Sequence, residues 1–164
     1  MKILLIRHAE AIDYETETVR NDEWRFITPK GRKNSLSVFK KLKDEFFTLE
    51  KIYSSPHIRC VQTAEILATY LKFKYDVEIV NELAPESPVE KVVDMIRRNS
   101  IFETIALVGH DPMMTNLANL LTGGKTANLQ IKKSGVCSIE YDVKTQKGEF
   151  NWYLNQKTLE KVQG

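Results

Sequence analysis

Four side chains in this sequence could do chemistry together: Arg7 and His8 near the start, Arg59, and His110. Two histidines and two arginines with no cysteine or carboxylate cluster make a poor metal site. They make a good site for a phosphate-like dianion. A guanidinium fork matches phosphoryl oxygens bidentately, and an imidazole can attack phosphorus to form a covalent intermediate. Any one of the four alone reads as a strand cap or a solvent-facing side chain. Their recurrence at the ends of apolar runs is what favours the chemical reading.

The elements that must position them are legible as such runs. Ile3 to Ile6 is continuous and apolar, the pattern of a strand buried on both faces, and it stops at Arg7-His8. In open α/β sheets the ligand crevice lies outside the carboxyl ends of the strands. Residues 12–25 are polar and read as an exposed loop in which Asp22 and Trp24 carry no signal. Thr28-Pro29 starts a helix, with a hydroxyl cap and then proline at the first helical position. Leu36, Phe39, Leu42 and Phe46 follow at helical spacing. After a break over 47–51, Ile52-Tyr53 is a second strand, running into Ser54-Ser55-Pro56 and a helix over 56–70. Its expected apolar stripe is Ile58, Val61, Ala64, Leu67 and Leu71. Arg59 falls in that helix's first turn, where the dipole disfavours a cation and free N–H groups favour an anion.

A third strand over 77–80 leads to a loop with two prolines, then a short helix carrying Val89, Val92, Val93 and Ile96. The fourth strand, 104–108, ends in Gly109-His110-Asp111-Pro112 and feeds a helix with Met113, Leu117, Leu120 and Leu121 inside, stopped by Gly123-Gly124. Residues 134–143 and 148–154 pattern as an antiparallel hairpin, and the tail from Lys157 carries no signal. His57 reads as a loop histidine at the rim of the site, Cys60 and Cys137 as small apolar residues, and the Lys40-Lys41-Lys43 run as a solvated face. If the sheet is mostly parallel, three strand ends bring Arg7 and His8, Arg59, and His110 into one crevice.

Length, composition and charge narrow the class. A chain of 164 residues fits one domain, 1–164, with a core that needs no staples. The net charge of +2 argues for neither nucleic acid nor an anionic membrane as partner. Two cysteines give no disulfide framework, and neither a signal peptide nor a membrane-length apolar run is evident, so a cytoplasmic protein is expected.

Leu5-Ile6-Arg7-His8-Ala9 resembles the Arg-His-Gly/Ala signature of the histidine phosphatase superfamily, also called phosphoglycerate mutase-like. Thr28-Pro29-Lys30-Gly31 resembles its Leu-Thr-x-x-Gly step. Ser54-Ser55-Pro56 with Arg59, Gln62 and Thr63-Ala64 resembles its Ser-Ser-Pro-x-x-Arg-x-x-Gln-Thr-Ala step, and Val108-Gly109-His110 its second histidine. The short length, the Glu82-Leu83-Ala84-Pro85 loop and Phe150-Asn151-Trp152 are similar to the phosphohistidine phosphatase SixA subfamily.

The resemblance implies an α/β fold, a three-layer α/β/α sandwich with a mixed, mostly parallel sheet. It implies that His8 is the nucleophile, that Arg7 and Arg59 clamp the phosphoryl oxygens, and that His110 donates a further hydrogen bond to them. No metal or organic cofactor is implied. Many members carry a carboxylic general acid two residues after a leucine in the third-strand loop, and here that place is Pro85. Glu82, Glu86 and Asp111 are nearby in sequence, and the residues leave open which of them, if any, replaces it. Without a strong acid, alkyl phosphates are poor substrates and a labile P–N bond a better one. The expected function is phosphoryl hydrolysis on a phosphohistidine-containing protein. The alternatives are a small phosphorylated substrate or a non-catalytic phosphate-binding module. A mutase is disfavoured, since the chain has no room for long insertions that close over a phosphosugar or phosphoglycerate.

Overall fold

The computed structural model describes residues 1–13 and 19–164. In chain order these form β1 (Lys2–Arg7), α1 (Pro29–Lys41), β2 (Leu49–Ser54), α2 (Ile58–Leu71), β3 (Val77–Ile79), α3 (Val89–Arg98), β4 (Thr104–Gly109), α4 (Met113–Leu121), β5 (Val136–Asp142), β6 (Lys147–Leu154) and β7 (Lys161–Gln163). One seven-stranded sheet has the order β3-β2-β4-β1-β5-β6-β7. Strands β1 to β4 are parallel, β5 runs against β1, β6 against β5 and β7 against β6, so five of the seven share a direction.

The sheet is covered on both faces. Along β1, Ile3 and Leu5 face a core with α3 and α4, while Leu4 and Ile6 face a core with α1 and α2. All four are fully buried, and burying each contributes roughly 2 kcal/mol. That explains why the run is continuous rather than alternating: this strand has no wet face. The result is the expected three-layer sandwich.

Local chemistry sets the helix that follows β1. Thr28 Oγ1 accepts from the Gly31 N–H at 2.9 Å, and Pro29 takes the first helical position.

Four local expectations are corrected. Strand β2 begins at Leu49, inside the expected break, because Leu49 is itself buried. The buried face of α2 carries Cys60, Thr63, Ala64 and Leu67, whereas Ile58 is exposed at the rim. Leu120 on α4 is half-exposed, since Leu117, Ala118 and Leu121 already fill that helix's contact with the sheet. The tail, which looked featureless, adds β7 as an edge strand whose three residues are all exposed. Of the expected 12–25 loop, residues 14–18 lie outside the described residues; Val19 is buried, and Asp22–Trp24 form a short 3-10 turn.

Candidate active site

The register of three adjacent parallel strands assembles the four residues. Arg7 lies level with Gly109 across the β1–β4 pair, so His8 and His110 leave the sheet side by side. Their ring centroids are 5.3 Å apart at 61°. On the other side of β4, Ser54 lies level with Val108. Beyond it the chain turns through Ser55-Pro56-His57 into α2, whose second residue is Arg59. The expected convergence of strand ends is present: the Arg59 Nη2 is 3.3 Å from His110 Nδ1.

Both histidines are held neutral with defined tautomers. His8 Nδ1 is 2.7 Å from the Ala9 carbonyl, which can only accept, so Nδ1 carries the proton and donates. No hydrogen bond among the described residues engages Nε2, whose lone pair is left available. Burial pushes His8 down to about 3. Arg59, Arg7 and Lys133 add to that, against the opposing pull of the Ala9 carbonyl. In His110, Nδ1 accepts from Arg59, so Nε2 donates to Ser55 Oγ at 2.8 Å. Burial, then the neighbouring His8 and Arg59, push His110 down to about 2.

Each arginine is anchored at its tip and unpaired at Nε. Arg7 Nη1 donates to the Ile131 carbonyl at 3.0 Å and lies 3.7 Å from Asp111 Oδ2. Arg59 Nη1 donates to the Asp22 carbonyl at 2.6 Å, and Nη2 donates to Asp22 Oδ2 at 2.8 Å. The Nε atoms of both are buried without a hydrogen-bond partner among the described residues. Two buried, unpaired N–H donors on permanent cations are costly unless something anionic accepts from them. Beside two neutral imidazoles, this arrangement can take a tetrahedral oxyanion.

The structure also gives work to residues that composition and spacing left silent. Asp22 is no bystander: it is the acidic partner of Arg59. His57 is not a rim residue but is 5% exposed, with its ring 4.8 Å from that of His110 and its Nδ1 3.5 Å from Asp22 Oδ2. Burial, then Arg59, lower its proton affinity. Thr63 Oγ1 accepts from the Ala9 N–H at 3.0 Å and donates to the Arg59 carbonyl at 2.6 Å, tying α2 to the turn that holds His8. Gln62 accepts from the Ile27 N–H at 2.8 Å. The Cys60 thiol, 3.4 Å from His110 Nε2, is pushed by burial up to about 12 and stays an uncharged packing group. Cys137 is likewise raised to about 12 by burial.

The carboxylates separate clearly. Glu82 pairs at 3.1 Å with Arg98, and Glu86 is exposed. Among these and Asp111, only Asp111 contacts one of the four site residues among the described residues. It lies near Arg7 and accepts from Thr115. Pro85, at the place where the resemblance leads one to seek an acid, is exposed and has no ionisable group.

Residues 3–84 match the model of the histidine phosphatase superfamily (branch 1). The chain is 25% identical over 162 residues to the phosphohistidine phosphatase SixA of Escherichia coli (strain K12), covering 97% of this chain and 96% of that protein. It is 28% identical over 142 residues to an uncharacterized protein of Picosynechococcus sp., covering 85% and 84%. A solved structure of the protein histidine phosphatase SixA complexed with tungstate superposes with a TM-score of 0.87 at 25% identity, over 98% of this chain and all of that one.

Proposed function

The chain belongs to the histidine phosphatase superfamily (branch 1), and from that premise we propose that it is a phosphohistidine phosphatase acting on a phosphohistidine-containing protein through an intermediate on His8. The observation that carries the reading is the neutral, buried His8, whose Nδ1–H is committed to Ala9 while Nε2 keeps its lone pair. Nε2 attacks phosphorus, the P–N bond of the substrate breaks, and the departing imidazole takes its proton from solvent. Water then attacks phospho-His8, releasing inorganic phosphate, returning the electron pair to Nε2 and losing a proton to solvent. Net, the substrate's P–N bond and one water become N–H and phosphate.

Arg7 and Arg59 supply the charge that the transferring group needs, and their unpaired Nε donors are the natural contacts for its oxygens. His110 is an acceptor toward Arg59; an arriving dianion favours protonation of Nδ1 and makes it a donor. Tungstate, held by the SixA structure that superposes here, is a phosphate-shaped oxyanion. No step is assigned to a metal. Two buried, unpaired cysteines suit a reducing, cytoplasmic setting.

The test is rapid quenching with a labelled phosphoryl donor. Wild type traps a phosphoenzyme stable to alkali and labile to acid, and His8→Ala traps none and loses turnover while keeping its fold. Label retained in His8→Ala overturns the assignment. A series of phosphate monoesters then separates the substrate classes. With no acid at Pro85, kcat/KM is expected to fall steeply as leaving-group pKa rises, phosphohistidine being hydrolysed well and alkyl phosphates poorly. A flat series favours a small-molecule phosphomonoesterase, and no turnover of any substrate favours a phosphate-binding module.

A further inference from the structure

Asp22 grips one edge of the Arg59 guanidinium and leaves the other for the site. The tip of the fork is filled: Nη1 goes to the Asp22 carbonyl and Nη2 to its carboxylate. The side edge, made of Nε and the second Nη2 proton, has Nε buried without a partner among the described residues and Nη2 3.3 Å from His110 Nδ1. The edge without a full set of partners is thus the one turned toward His110, which stands beside His8.

Asp22 is itself fixed. Its Oδ1 accepts from Arg25 Nη1 at 3.0 Å, and Arg25 Nε donates to the Ile12 carbonyl at 2.7 Å. Asn21 caps the same turn by accepting from the Glu23 N–H. The turn buries no residue of its own, so the ionic contact, not core packing, brings it against α2. Burial raises the Asp22 carboxyl, but hydrogen bonds and charge from Arg59 and Arg25 outweigh this and hold it below the usual carboxylate range.

We propose that Asp22 is a positioning residue that orients Arg59 edge-on to the transferring phosphoryl group. This rests on the reading of Arg59 as a phosphoryl clamp. A guanidinium restrained at its tip has lost most of its rotational freedom before substrate arrives, so less is lost on forming the transition state. The competing idea is that the carboxylate rivals the phosphoryl group for Arg59, and it predicts the opposite sign.

The experiment is steady-state hydrolysis of an aryl phosphate and of phosphoimidazole, with inhibition by inorganic phosphate. The proteins are wild type, His8→Ala, Asp22→Asn, Asp22→Ala, Arg59→Lys and the Asp22→Ala/Arg59→Lys double variant. Asp22→Ala is expected to lower kcat about 10- to 100-fold with a smaller change in KM. Asp22→Asn, which keeps the acceptor oxygen, falls between. In the Arg59→Lys background Asp22→Ala adds less than about threefold, because the group it orients is gone. Equal losses in both backgrounds, an unchanged kcat, or a higher kcat with tighter phosphate inhibition each overturn the proposal. A His8→Ala protein that still turns over marks failure of the parent reading instead. If Asp22→Ala does not fold, Asp22→Asn, matching in shape, carries the same comparison.

Discussion

A histidine buried as a neutral ring ties stability to pH. Against an ordinary value near 6.5, His8 stands at about 3 and His110 at about 2 in the folded chain. Below pH 6.5 the unfolded chain binds a proton on each ring that the folded chain refuses. Their contribution is therefore complete above about 6.5 and is lost as pH falls toward 3, by about 1.4 kcal/mol per unit for each ring. Urea unfolding at pH 7 and pH 5 is expected to show this loss, to which His57, also lowered, adds, and His110→Asn to remove one ring's share of it. Equal slopes in the two proteins would mean that His110 is protonated as readily folded as unfolded. Arg7, His8 and His110 were legible because they follow apolar runs, and Arg59 because it sits in the first turn of a helix, where the dipole disfavours a cation. Asp22 was not, since its partner Arg59 is 37 positions away and an acid in a polar segment carries no pattern.

At the level of elements, two glycines of the recognisable motifs differ sharply. A Cβ on Gly31 would stand 2.2 Å from the Glu10 carbonyl oxygen, so α1 packs directly on the backbone that follows His8. On Gly109 its nearest neighbour would be the flexible end of Met114, at 2.8 Å. Gly31→Ala is expected to destabilise by about 3 kcal/mol or more and to depress kcat, because either α1 or residues 8–10 must shift. Gly109→Ala is expected to cost about 1 kcal/mol. Melting curves of both variants check the order, and a reversal would refute this account of the motif. The helices and buried strands could be read because caps and apolar periods are local. The β7 strand could not: its three exposed residues have no apolar face, and only the edge of β6 makes them a strand. The phase of α2 was misread at Ile58 because Arg59 and Cys60 take the inward positions that an apolar count would assign elsewhere.

Across the whole molecule, two cores share one sheet. Every residue of β1 from Ile3 to Ile6 belongs to one or the other, so neither helical layer can melt without exposing the other's support. Residues 1–164 are therefore expected to unfold as a single domain, with far-ultraviolet circular dichroism and tryptophan fluorescence giving coincident urea midpoints. Separate midpoints would split the layers into independent units. The site sits on the seam between them, with Arg59 on a helix of one face and His110 leading into a helix of the other. The candidate residues thus stand where the two cores meet on shared strands. The turn at Asp22–Trp24 is different, for it has no buried residue and reaches the site through ionic contact. Under the role proposed for Asp22, lengthening or shortening that turn carries the acid off the Arg59 guanidinium and costs turnover, although no core side chain is disturbed. Chemistry and stability thus draw on different parts of the chain: the sandwich stands without that turn, and the proposed angle of Arg59 does not.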